Sequence, residues 1–327
     1  LSKGGKHSRP FTTLAVYDAL TGGRGTMGDG AEFVASIPDS IRRTAMSIET
    51  FHKASLVHDD IEDDDEFRYG EETLHRKYGI PTAVNVGDYL IGMGYRFVSR
   101  EAPELGSAVA ADILDSLAQA HTRLSEGQGA ELLWRDALNK ELTPIDALKI
   151  YALKTSPAFE AALLAGIRLA RPIGDLAEPI KLFARNLGVA FQILNDLGDW
   201  LGDDDNKLAA GLDTLGGRPT ILLALALDAL DGEDRQLLLS LLDEESGNEE
   251  ERVEQVRHLY SQAGVFEKAM RLVDKHQQRA EMIADDMQPE DFRRLLYYLI
   301  DTVLERQVDE PTELVTLEPL ASTDAVS

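Results

Sequence analysis

Ile41-Arg42-Arg43-Thr44-Ala45-Met46-Ser47-Ile48-Glu49-Thr50-Phe51-His52-Lys53-Ala54-Ser55-Leu56-Val57 runs without a break into His58-Asp59-Asp60-Ile61-Glu62-Asp63-Asp64-Asp65. The first part is largely apolar and small, and the second is almost wholly acidic. On a helix Asp59 and Asp63 share one face at i and i+4, with Asp60 and Asp64 on an adjacent stripe. Carboxylates held side by side on one face repel unless a cation lies between them. An ordinary acidic helix end belongs in polar surroundings. This one follows a run suited to burial, which puts the acids at the mouth of a buried helix and points to a metal site.

Outward from this stretch, apolar residues recur at three- and four-residue spacing, and alternating apolar and polar runs bounded by turn signals are scarce. The fold class this predicts is all-α. Helices are expected over about 11–20, 39–66, 82–99, 106–125, 144–170, 176–201, 218–231, 250–263, 266–286 and 289–306. Pro81 and Pro144 fall in first turns, where proline is tolerated, whereas Pro157 lies inside a helical pattern and should kink it beside Lys154 and Thr155. With no long interior linker and no fixed-period repeat, residues 1–307 are expected to form a single domain. Residues 308–327 mix acids, prolines and small residues and are expected to be a mobile acidic tail. Because the first residue is Leu1, part of a natural N-terminus is expected to precede it.

The net charge of -25, from 58 acidic and 33 basic residues, repels a phosphate backbone, so no nucleic acid partner is expected. A diphosphate can still bind if metal ions bridge it to the acids. The absence of cysteine removes disulfides, thiolate zinc sites and cysteine nucleophiles together. The longest apolar stretch, Ile150 to Ala170, carries Lys154, Glu160 and Arg168, so no transmembrane segment is expected and a cytoplasmic location is the plain reading. Gly23-Arg24-Gly25-Thr26-Met27-Gly28 matches the GxGxxG dinucleotide fingerprint in letters only. Helix, not strand, is expected before it, which makes it an interhelical loop.

A second acidic cluster, Phe191-Gln192-Ile193-Leu194-Asn195-Asp196-Leu197-Gly198-Asp199-Trp200, also follows an apolar helix. Asn195, Asp196 and Asp199 all offer oxygen, the donor magnesium prefers. Two such clusters on two core-entering helices are most economically read as one diphosphate site holding several Mg2+ ions. Basic residues should then meet the outward phosphates, and the candidates by order and spacing are Lys6, Arg9, Arg68, His75, Lys154, Lys207 and Arg218.

Carried by these motifs in this order, the sequence resembles the trans-isoprenyl diphosphate synthases, the polyprenyl synthetase family, from about Gly4 to Arg306. The matches are Gly4-Gly5-Lys6 with Arg9-Pro10, the DDxxD of Asp59, Asp60 and Asp63, and the arginine after it at Arg68. They continue through His75, Gly87-Asp88, Gly127-Gln128, Lys154-Thr155, Phe191-Gln192 and Gly217-Arg218-Pro219-Thr220. The resemblance implies an isoprenoid synthase-type helical bundle around a central cavity, assembled as a homodimer. It implies that Asp59, Asp60 and Asp63 bind magnesium from one wall and Asp196 and Asp199 from the other. Lys154, Lys207 and Arg68 would hold an allylic diphosphate, and Lys6, Arg9 and His75 isopentenyl diphosphate. Thr155, Gln192 and the Lys154 carbonyl would be dipoles near the allylic cation.

Two positions depart from the family pattern. Tyr69 stands where a second arginine is usual, and Asn195 where the second motif usually begins with Asp. The oxygen spacing of Asn195, Asp199 and Asp203 also suits a class I terpene cyclase, a reading opposed by the Gly-Lys-x-x-Arg-Pro element and His75. An inactive partner subunit of another synthase is the non-enzyme alternative, opposed by the complete first motif.

Residues one, two and three turns before Asp59 should line the channel that receives the growing chain. One helical turn is ~5.4 Å, roughly an isoprene unit. Ala54 and Ser55 are too small to stop a chain, whereas Phe51 can form a floor. The expected product is therefore C20, geranylgeranyl diphosphate, with C25 or longer as the alternative.

Overall fold

The computed structural model describes residues 8–26, 30–137, 141–200, 211, 215, 217–243 and 248–305. The stretch that decided the reading forms α3, Asp39–Glu62, a helix of 24 residues, roughly 36 Å long at ~1.5 Å per residue. It stops four residues before the expected end. The Asp63 N–H closes the last turn on the Asp59 carbonyl, and Asp64 then turns left-handed at φ 55°. Asp64 is therefore not on a helical stripe beside Asp60. The chain returns through a two-stranded antiparallel hairpin, β1 (Phe67–Arg68) and β2 (Glu71–Glu72).

Before α3 come α1 (Ser8–Thr21) and the short α2 (Gly30–Ser36); after the hairpin follow α4 (Leu74–Tyr78), α5 (Ile80–Ser99), α6 (Ala102–Leu105) and α7 (Ser107–Arg135). Between α1 and α2 the glycine-rich segment makes one 3-10 turn at Arg24–Thr26, preceded by helix. α5 lies close along α3, because Gly94 faces Phe51. A Cβ there would come within 2.8 Å of the phenyl ring.

The expected long helix over 144–170 is two helices, α8 (Pro144–Lys154) and α9 (Ser156–Ala170). The break falls at Thr155, with φ -119° and ψ -47°, and Pro157 occupies the first turn of α9. Proline has no N–H to return to the Leu153 carbonyl and its ring crowds that carbonyl, so the ladder cannot run through.

α10 (Ala177–Asp199) is the axis of the larger core. Ile180, Phe183, Leu187 and Ile193 are fully buried among α8, α9, α11 (Ile221–Ala229), α13 (Glu249–Gln262), α14 (Val265–Asp285) and α15 (Glu290–Val303). α11 is apolar on all sides from Ile221 to Leu227, and all seven residues are buried, as an internal helix must be. α12 (Gly232–Asp243) had no place in the sequence reading. A second, smaller core joins α3, α5, α7 and α9 through Ile48, Val98, Ile113, Leu117, Ala161, Ala162 and Ala165. Among the described residues, no helix is long and apolar enough to cross a membrane.

Candidate active site

A cavity of about 560 Å³ opens between α3, α7, the α8–α9 junction and α10. Its polar end gathers Arg9, Asp59, Arg68, Lys154, Gln192 and Asn195, and its far end is lined by Ile48, Phe51, Leu117, Ala120 and Leu124. α3 supplies both ends. Ile48, Phe51, Ser55 and Asp59 follow one another at helical spacing along the same wall.

The three acids of the first motif have separate partners. Asp59 faces the cavity. Burial first, and then the neighbouring Asp63 and Glu62, push its carboxyl up to about 7 in spite of Lys154 and Arg68. Such a group stays ionised at neutral pH only with more positive charge nearby. Asp60 is buried and accepts from Arg68 Nε at 2.7 Å, while Arg68 also reaches Asp65 at 2.9 Å. Asp63 lies between two guanidiniums, Arg135 at 2.6 Å and Arg218 at 3.1 Å. Arg218 thus sits on the acid wall and outside the cavity lining. Arg135 was not among the candidates.

On the opposite wall Asn195 lines the cavity, and Asp196, one residue on, points into the protein interior. Asp196 accepts from the Tyr151 hydroxyl, from the Ile221 backbone N–H at 3.3 Å, and from Gln192 Nε2 at 3.4 Å. Its negative charge therefore rests at the N-terminus of α11, where the helix dipole favours it. Burial, and then Asp196, hold the Tyr151 phenol well above its usual range. Asp199 closes α10 and takes the Gly211 N–H on its carbonyl at 3.1 Å; its side chain does not line the cavity.

The α8–α9 break is braced from two sides. Lys154 Nζ meets buried Glu131 of α7 at 2.7 Å, and Thr155 donates to Gln192 Oε1 at 3.2 Å. α7 can approach because Gly127 faces the junction. A Cβ there would lie 2.7 Å from the Lys154 nitrogen.

Among the described residues, no three carboxylate or histidine side chains converge closely enough to hold a metal by themselves. The donors nonetheless fit an ion such as magnesium, which takes one or two protein carboxylates and completes its octahedron with water and phosphate oxygens. Asp59 on one wall and Asn195 on the other offer that kind of partial coordination.

His75 on α4 is buried outside the cavity lining, with Nε2 3.6 Å from Asp64 Oδ1 and no hydrogen-bond partner for either ring nitrogen. Among the histidines in the lining, with His58 and His121, is His52, which the sequence reading missed. Its place one turn before Ser55 on the face of α3 that leads to Asp59 was the available signal. Burial, followed by the charges of Arg9, Lys53 and Arg68, lowers its pKa to about 3. Phe51 lines the cavity beside two other rings. Its ring meets Tyr95 edge-on at 4.7 Å and His121 at 5.7 Å, and the Tyr95 hydroxyl is 3.4 Å from His121 Nδ1. Lys6, Lys207 and the tail over 308–327 lie outside the described residues.

The polyprenyl synthetase family profile matches residues 1–260. A short chain isoprenyl diphosphate synthase of Methanothermobacter thermautotrophicus is 28% identical over 309 residues, 94% of this chain and 88% of that protein. The crystal structure of geranylgeranyl pyrophosphate synthetase from Pyrococcus horikoshii superposes with a TM-score of 0.79 at 26% identity, over 93% of this chain and 87% of that one. A polyprenyl synthase from Caulobacter crescentus, solved with calcium and isoprenyl diphosphate, gives 0.76 at 25% identity, over 93% and 85%. Motif order, helical architecture and the acid-lined cavity agree with these likenesses, and the chain belongs to the polyprenyl synthetase family.

Proposed function

We propose that the cavity condenses an allylic diphosphate head to tail with isopentenyl diphosphate, giving geranylgeranyl diphosphate or a longer product. The observation that carries this reading is the layout of α3. Asp59 stands at the polar end, Ser55 one turn on, and Phe51 with the apolar lining residues Ile48, Leu117 and Ala120. Eight residues separate Asp59 from Phe51, ~12 Å at 1.5 Å per residue, which leaves room for more than two isoprene units.

Ionisation puts negative charge on the departing diphosphate and positive charge on the allyl carbon. Magnesium, when bound, supplies Lewis-acid charge to that diphosphate; the Caulobacter protein, solved with both calcium and isoprenyl diphosphate, supports a divalent ion here. Asp59 and Asn195 would hold it, and Lys154 and Arg68 add cationic hydrogen-bond donors at the same end. Thr155 and Gln192, joined at 3.2 Å and both in the cavity lining, would offer the allyl cation dipoles without a nucleophilic charge. Arg9 and His52, both in the cavity lining, would take the second diphosphate, the role His75 was expected to fill. The apolar far end excludes water that would quench the cation. The isopentenyl double bond attacks the allyl carbon, and the departed diphosphate then takes the proton from the adjacent carbon as the new double bond forms.

The exposed apolar side chains of α5, Ile80 and Tyr89 among them, support a homodimer as the working assembly. The deciding experiment incubates the purified chain with magnesium, labelled isopentenyl diphosphate and dimethylallyl, geranyl or farnesyl diphosphate, and separates the products. Labelled linear products of C20 or longer are expected. A cyclic hydrocarbon without label would establish the cyclase reading, and no product at all the inactive subunit.

A further inference from the structure

Gly127 and Glu131 stand one turn apart on α7, on the face that meets the α8–α9 junction. Gly127 lets the helix close on the Lys154 nitrogen, and Glu131 brings a carboxylate to the tip of the same lysine at 2.7 Å. Lys154 lines the cavity and Glu131 does not. The Glu131 side chain is only 7% exposed, and its Oε1 is buried with no hydrogen-bond partner among the described residues. A buried carboxylate of this kind depends on the cation it touches. If Lys154 swung fully away to a phosphate, Glu131 would be left as an uncompensated charge, and that cost keeps the ammonium where it is.

Lys154 answers to the cavity as well. Burial raises the Asp59 carboxyl, and the charge of Lys154 is the first of the influences that oppose the rise. An ammonium carries three N–H groups. One goes to Glu131, and two remain for oxygens that enter the cavity. The four-carbon stem, which would otherwise sample several rotamers, is held by its tip.

When the allylic carbon–oxygen bond breaks, both electrons leave with the diphosphate and its negative charge grows. A donor fixed beforehand gains more from that growth than one that follows the phosphate, so it favours the transition state over the bound substrate. We propose that Glu131 is a positioning residue for this ionisation, fixing the Lys154 ammonium where the departing diphosphate gains charge. This rests on the condensation reading given above. Glu131 acts through Lys154, from outside the cavity lining.

Steady-state kinetics on the full chain with magnesium compare the parent with Glu131→Gln, which keeps the shape and removes the charge, and with Glu131→Asp, which keeps the charge and draws it back by one methylene. Circular dichroism checks the fold of each. Glu131→Gln should lower kcat about tenfold or more, while the KM for the allylic diphosphate falls or stays within about threefold, because the released ammonium can still follow the bound phosphate. The KM for isopentenyl diphosphate should not move, and Glu131→Asp should fall between parent and Glu131→Gln. Lys154→Met, which keeps most of the stem and lacks the ammonium, completes the cycle. In that background Glu131→Gln should change the remaining kcat less than about twofold, since the pair acts as one unit. It should also raise the melting temperature there, because the buried carboxylate has lost its cation. A glutamate that merely supports the fold would cost as much kcat in the Lys154→Met background as in the parent, and would lower the melting temperature in both. That additive pattern, an unchanged kcat in folded Glu131→Gln, or an allylic KM that rises in step with the loss of kcat overturns the assignment while leaving the condensation reading intact. Should Glu131→Gln fail to fold, Glu131→Asp carries the same cycle with the same criteria. If the unmodified chain incorporates no isopentenyl unit, the condensation reading fails first and this assignment falls with it.

Discussion

The Tyr151 hydroxyl donates to the Asp196 carboxylate, and its oxygen accepts the Ile221 backbone N–H at 2.6 Å. One phenol therefore ties the end of α10 to the start of α11, and Asn195 faces the cavity because Asp196 is held the other way. Tyr151→Phe removes that tie and leaves a buried carboxylate with fewer donors, a cost of about 1–3 kcal/mol. The expected outcome is a melting temperature several degrees lower and a raised magnesium requirement for activity. A variant that melts and titrates like the parent would show that the tie is dispensable.

Asp59→Ala and Asp60→Ala should lower turnover by about two orders of magnitude or more, because Asp59 faces the cavity and Asp60 holds Arg68 at its edge. The helical circular-dichroism spectrum should persist. Parent-like activity in both variants would remove the first acid wall from the mechanism.

Asn195→Asp should reduce the magnesium concentration needed for half-maximal activity. Asn195 lines the cavity across from Asp59 and gives a metal an oxygen but no charge. Product length should stay the same, since the floor lies on other helices. An unchanged or higher magnesium requirement would mean that Asn195 is not a deficient ligand.

Product length should respond to the α3 wall. Ser55→Phe places a ring about one turn inward from Asp59 and should shorten the product. Phe51→Ala should lengthen it by about one isoprene unit, and His121→Ala added to it should lengthen it further, since Tyr95 and His121 close the space behind Phe51. Chromatography of the dephosphorylated alcohols reads this directly, and an unmoved distribution in all three would place the floor elsewhere.

Stability should fall in mild acid. His276 lies between α14 and α10, with Nδ1 2.8 Å from Asn186 Oδ1, and burial, then Arg279, Lys275 and Arg185, lower its pKa to about 4. His52 is lowered to about 3. A folded pKa below the unfolded 6.5 means that the unfolded chain binds the proton more tightly. The contribution is complete above pH 6.5 and is lost as pH falls toward about 4. His276→Gln should flatten part of the decline in melting temperature over that window. An equally steep decline would assign it to other groups.

The sequence made the two acid-tipped helices, the proline break beside Thr155 and the all-α class legible, because each is written in local spacing. Four-residue spacing placed Asp59 on a wall, and Pro157 marked where α8 must yield to α9. The short α4 and α6 span less than two turns, too little for a period to show. The larger gaps concern partners distant along the chain. Arg135 lies 72 positions from Asp63, and Tyr151 lies 45 from Asp196, so no local rule joins them. The same holds for the floor, where Phe51, Tyr95 and His121 come from three helices. His52 was within reach of the spacing argument, but a more familiar position, His75, drew the assignment.

Asp63 awaits its reaction already in company, held by Arg135 and Arg218. Asp60 is likewise occupied by Arg68. A lone divalent ion would have to compete with these guanidiniums for the carboxylates, and the arginines it displaced would gain nothing in return. An ion that comes with a diphosphate changes the exchange, because it brings phosphate oxygens that can accept from a released guanidinium. Metal and substrate should therefore strengthen each other's binding by the same factor. An acid wall built in this way would discriminate against free cations at rest and respond to the loaded pair.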